Sequence, residues 1–128
     1  MKRQRVLGIA RRLLALYALV AIGYLMWRFE LETLPGEGCS PLISLRPGAH
    51  LLVDVRPREL REGDTVLFRD QAGRLLIARI VPRPDGAGDG PGFWLATDNR
   101  ACPGPDSSSL GLIPRERCEG RMLFAFSL

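Results

Sequence analysis

Residues 13–27 read LLALYALVAIGYLMW, fifteen residues without a charge. No other stretch limits the fold as strongly, because a helix apolar around its whole circumference has no polar face to give to water. At 1.5 Å per residue the run covers only about 22 Å, less than the ~30 Å hydrocarbon core of a bilayer. Arg12 and Arg28 are able to snorkel, and Tyr24 and Trp27 suit the interface, so a span from about residue 8 to 28 is expected. A cleavable signal peptide is the rival reading. The segment that follows, WRFELETLPGEG, has no small-x-small cleavage site, which favours an uncleaved anchor. A buried helix of a soluble protein is the third reading.

Charge follows the same division. Residues 1–28 carry six cations and no acid, and the remaining 100 residues carry twelve Arg and fourteen acids, so the +4 of the chain resides in the arm. The body is close to neutral, with no basic stripe interleaved with aromatics, so no nucleic-acid partner is expected. Cations precede the apolar run and Glu30, Glu32 and Glu37 follow it. The positive-inside rule then predicts a basic cytoplasmic arm over 1–12, a membrane anchor over 13–28 in a single-pass cell (inner) membrane protein, a linker over 29–37 and a periplasmic or extracellular domain over 38–128. Lipid is the first expected partner.

In the body, short apolar runs rich in β-formers alternate with Pro, Gly and Asp. The expected strands are 51–55, 64–70, 74–81, 92–98 and 120–126, with the second and third joined through Gln71-Ala72-Gly73 as a hairpin. Residues 83–92 and 101–109 read as loops. The expected fold class is mainly β, a small antiparallel sheet or barrel-like domain on one N-terminal transmembrane helix. Such a small domain benefits from a disulfide. Cys102 and Cys118 are a candidate pair able to close a short loop, although spacing alone does not fix the pairing of three cysteines. Cys39 follows Glu-Gly, a poor lipidation context. With no CxxC and a single His, His50, neither a metal nor another cofactor is expected.

Five local patterns occur in a fixed order: GCSPLISLRPG (38–48), REGDTVLF (61–68), RLLIARIV (74–81), TDNRACPGPDSSS (97–109) and EGR (119–121). Together they resemble the type I signal peptidases, peptidase family S26, in a minimal form without the large inserted domain of some members. In that family a Ser-Met-x-Pro motif is followed by Gly eight residues after the Ser, as Gly48 follows Ser40. Gly63-Asp64, Arg79, Asp98-Asn99, Asp106-Ser107 and Gly120-Arg121 match the later motifs. The resemblance implies an S26-type β domain in which Ser40 takes the nucleophile position, with Gly38, Arg79, Asp98, Asn99, Asp106 and Ser107 in support. It also implies an extended peptide or precursor as ligand.

The same resemblance exposes what is missing. A Ser hydroxyl attacks a carbonyl only when a base takes its proton, and the family supplies Lys or His just before the strand Arg. Here that position is Ala78, a methyl group. Pro41 stands in place of the motif Met, Ile43 in place of its Pro, Gly104 in place of a supporting Ser and Ser108 in place of an Arg. Arg79 stays protonated, and Lys2 lies across the membrane in the expected topology. So many departures together read as natural decay of a site rather than one engineered change. The leading expectation is a non-catalytic relative that binds peptide and serves a membrane complex as an accessory subunit with partner chains. The alternative is an active serine endopeptidase that cleaves signal or pilin-like precursors with a base from elsewhere. A third is an unrelated β domain whose motifs match by chance.

Overall fold

The structure is a computed structural model that describes residues 1–34 and 38–128. Helix α1 (Lys2–Arg28) runs without interruption through the basic arm and the apolar run. It has no buried residue and is long and apolar enough to cross a membrane. The arm over 1–12 is therefore the first three turns of this helix from Lys2 onward, not a separate element.

Six strands follow: β1 (Phe29–Thr33), β2 (His50–Asp54), β3 (Thr65–Arg69), β4 (Leu75–Val81), β5 (Trp94–Ala96) and β6 (Cys118–Phe126). A short helix α2 (Ser107–Leu110) and one 3-10 turn (Arg115–Arg117) precede β6. The strands form one antiparallel sheet in the order β1-β2-β6-β3-β4-β5, whose ladder ends at β1 and β5. The domain is mainly β, and all five strands expected from the sequence are present within a few residues of their expected bounds.

The linker expected over 29–37 is corrected in its first half. Phe29–Thr33 is strand β1, and each of its five residues pairs with one of His50–Asp54. Phe29, Leu31 and Thr33 alternate with Glu30 and Glu32, a period-two pattern that marks a strand. Its acids also suit a sheet edge, where charge opposes pairing with another chain. Residues 35–37 of that expected linker lie outside the described residues.

Both faces of the central strands are covered. On one face Val66, Phe68, Ala78 and Ile80 cluster with Leu60, Leu95 and Ile113. On the other, Leu51, Val53, Leu67 and Ile77 cluster with Leu42 and Leu45 from the segment that carries Ser40. This is why Val66, Leu67 and Phe68 in β3 read as an unbroken apolar run, all three being buried together with Thr65. The β3–β4 hairpin turns at Gly73, whose φ of +80° suits glycine. Asp70 closes the turn by accepting from the Arg74 N–H at 2.9 Å and from the Arg74 guanidinium at 2.7 Å. Gly120 serves a close approach: a Cβ there would lie 2.8 Å from the Asp54 carbonyl oxygen, beside a register shift between β3 and β6.

Helix and sheet are joined directly. The Val55 N–H donates to the Arg28 carbonyl at 2.9 Å, and the Arg28 guanidinium reaches the Asp54 carboxylate at 3.1 Å. Asp54 is 1% exposed and also accepts from the Arg56 N–H, with Arg121 3.9 Å away. Burial pushes the Asp54 carboxyl up. The hydrogen bonds from Arg28 and Arg56 and the charges of Arg28 and Arg121 outweigh that and hold it below the usual carboxylate range. A carboxyl depressed by folding adds stability above its unfolded value near ~4 and loses it as pH falls through its folded value. Asp54→Asn is expected to cost about 1–3 kcal/mol at neutral pH. It should also make the loss of stability between roughly pH 5 and 2 shallower, as read by urea unfolding across that range.

Candidate functional site

The segment 38–48 belongs to no strand, so its backbone must find partners elsewhere. It finds them in the turn after β5. The Asn99 side-chain N–H donates to the Ser40 carbonyl at 2.7 Å. The Asp98 and Asn99 backbone N–H groups both donate to the Pro41 carbonyl, at 3.2 and 3.0 Å. In return the Ile43 N–H donates to Asp98 Oδ1 at 2.8 Å. Arg79 then ties β4 into the same knot, with Nη1 3.0 Å from Asp98 Oδ2 and Nη2 3.5 Å from Ser44 Oγ. The Ile43 N–H, and after it the Arg79 guanidinium, hold the Asp98 carboxyl below its ordinary range against the opposing effect of burial.

A disulfide completes the connection, and it corrects the expected pairing. Cys102 is bonded to Cys39, not to Cys118, with the two Cα atoms 5.7 Å apart. The Asn99 and Asp98 bonds bring the 97–102 turn onto residues 39–43 and so set Cys102 against Cys39. Cys118 instead opens β6, packs against the Leu60–Ile113 cluster and is free. Burial pushes its thiol up.

Ser40 is 7% exposed and sits in the wall of a cavity of about 240 Å³. Thr33 and Leu34 bound this cavity on the β1 side, Leu75, Leu76 and Ile77 on the β4 side, and Leu51 and Leu67 also line it. Among the described residues the one hydrogen bond to Ser40 Oγ comes from the Leu42 N–H at 3.3 Å. That group is a donor and takes no proton from the hydroxyl. His50 is engaged elsewhere: its Nδ1 lies 3.0 Å from Thr33 Oγ1 and its ring centroid 5.5 Å from that of Phe126.

The structure therefore brings Ser40, Arg79, Asp98 and Asn99 together, with Cys39 and Cys102. It does not bring Ala78 to the cavity wall. Ile77 faces the cavity, and Ala78, one residue on, is wholly buried in the cluster on the opposite face of the sheet. Gly38 lies at φ +89°, two residues before Ser40. Asp106 and Ser107 serve the scaffold behind β5. Asp106 caps α2 and accepts from the Thr97 N–H at 3.1 Å. The fully buried Ser107 Oγ accepts from the Leu95 N–H at 2.8 Å.

Two departures from the signal-peptidase pattern prove to be neighbours. A Cβ at Gly104 would lie 2.9 Å from Pro41 Cβ, so any side chain at 104 would crowd the Ser40 segment. Ser108 donates both its N–H and its hydroxyl to Asp106 Oδ1, so this carboxylate is satisfied without an Arg. Sequence reasoning missed the Cys39 bridge and the Arg79–Asp98 ion pair. No local signal marks either one, because both join residues distant in the chain.

Open backbone also borders the cavity. β5 pairs with β4 only over Arg79–Val81, so among the described residues Leu75–Ala78 has a strand partner on the β3 side alone. After Ala96 the chain leaves β4 to bond Pro41, and among the described residues the edge beside the cavity has no strand partner.

No protein-family model matches this chain, and neither a curated protein nor a solved structure is significantly similar to it.

The bridge spans 63 residues, for which loop-closure entropy gives about 4 kcal/mol. The double variant Cys39→Ser, Cys102→Ser should lose roughly 2–4 kcal/mol relative to the oxidised protein. Cys118→Ser should stay within about 1 kcal/mol of it, as measured by urea unfolding in detergent micelles.

Proposed function

We propose that this chain is a membrane-anchored relative of the type I signal peptidases that binds an extended peptide and does not turn it over. α1 is its single transmembrane helix, with the N-terminus cytoplasmic and the sheet domain outside. The peptide adds as a strand to the free edge of β4 at Leu75–Ala78 and places an apolar side chain in the adjoining cavity. In this reading the chain is an accessory subunit of a membrane complex, presenting a precursor or holding a partner's extended segment.

The observation that carries the reading is the environment of Ser40 Oγ, where among the described residues a backbone N–H is the one hydrogen-bonding neighbour and no proton acceptor is hydrogen-bonded to the hydroxyl. A nucleophilic serine without a base loses several orders of magnitude in rate. The open strand edge, the apolar cavity and the stiffly held Ser40 segment support peptide binding all the same. The five ordered motifs support the family.

Full-length protein in detergent micelles is to be incubated with a precursor that carries a signal sequence, beside its Ser40→Ala variant. Both are expected to show the same background cleavage, and Ser40-dependent cleavage would establish an active endopeptidase instead. Binding is tested separately with a fluorescent extended peptide containing Leu. Leu75→Trp, which fills the cavity mouth, should weaken the complex about tenfold or more, and unchanged affinity would remove the cavity from the binding site.

A further inference from the structure

The end of α1 is covered by a group of arginines that the peptide site does not use. Arg56 lies over the Trp27 ring, its guanidinium carbon 4.2 Å from the centroid, and its Nε donates to the Trp27 carbonyl at 3.4 Å. Arg58 follows two residues later and is exposed. Arg115, in the 3-10 turn before β6, donates to the Pro57 carbonyl at 2.6 Å. The guanidiniums of Arg56 and Arg115 thus contact the segment Val55–Arg58 and the helix end, and the exposed Arg58 adds a third cation to that segment, which is itself bonded to the last turn of the helix.

Their charges are not neutralised from within. Nearby Arg28 and Arg121 reach Asp54, and Arg61 reaches Glu59. Among the described residues Arg56, Arg58 and Arg115 have no carboxylate in ion-pair contact. Among the nearby acids of the described residues, Glu30, Glu62 and Glu116 have no ion-pair partner. In a body with a net charge of −2, this is a local positive excess.

Its position identifies the anion. Tyr24 and Trp27, ring centroids 6.1 Å apart, belong at the headgroup level if α1 spans the bilayer. Stacking on Trp27 places Arg56 at that same depth. We propose that Arg56, Arg58 and Arg115 form a docking surface for the phosphates of anionic phospholipids on the leaflet where α1 emerges, so that the domain rests on the membrane through its β2–β3 loop. The planar guanidinium suits bidentate contact with phosphate. The proposal rests on the membrane-spanning reading of α1 and is independent of peptide binding.

The test uses the full chain in nanodiscs of zwitterionic lipid and in nanodiscs with about 30% phosphatidylglycerol, where each arginine near the surface adds roughly a fivefold preference. Hydrogen–deuterium exchange across residues 55–61 is expected to slow several-fold in the anionic discs only. The protection should vanish in 0.5 M NaCl, where the screening length falls to about 4–5 Å. Arg56→Gln, Arg58→Gln and Arg115→Gln together should abolish it while circular dichroism stays native. Equal exchange in both lipids would overturn the proposal. So would equal protection by inorganic phosphate in zwitterionic discs, which would mark a free-anion site. Failure of the protein to enter nanodiscs at all would overturn the membrane-spanning reading itself.

Discussion

The contact on which the rest of the domain depends is the one between the Ser40 segment and the turn after β5. Residues 38–48 form no strand, yet Leu42 and Leu45 from this segment complete one face of the core. Four hydrogen bonds from Asp98, Asn99 and Ile43, the Arg79 ion pair and the Cys39–Cys102 bridge hold the segment in place. Without them the cavity would lose the wall that carries Ser40, and Leu42 would have no fixed partner. The residues that resemble catalytic support in a peptidase thus bear the fold, and that gives them a physical role whether or not the serine reacts.

A second constraint acts at the other end of β2. The buried Asp54 gathers Arg28, Arg121 and the Arg56 N–H, so the helix end, β2, β6 and the loop after β2 meet at one carboxylate. Breaking a buried pair by removing one partner costs more than forming it gains, and so the junction resists bending.

Much of the fold was legible because strand patterning is local. The continuous run TVLF, the alternation through RLLIARIV and the Gln71-Ala72-Gly73 turn each carry their signal within a few residues. Phe29–Thr33 carried one too, in the alternation of Phe29, Leu31 and Thr33 with acids, but proximity to the apolar helix made it read as a linker. The cysteine pairing was not legible, since three cysteines admit three pairings and the choice depends on where the 97–102 turn lands. Nor was the facing of Ala78: the residue type at 78 is evident in the sequence, whereas the burial of Ala78 on the far face follows only from sheet register.

The sequence by itself determined the apolar helix, the mainly β body, five of the six strands and the absence of a basic side chain at position 78, because each is a property of residue type or short-range period. Tertiary structure alone decided that Cys39 meets Cys102, that Arg79 meets Asp98 and that Gly104 lies too close to Pro41 to carry a Cβ without a shift. These are contacts between segments tens of residues apart, and they form only when strand order and register bring the two loops to the same end of the sheet.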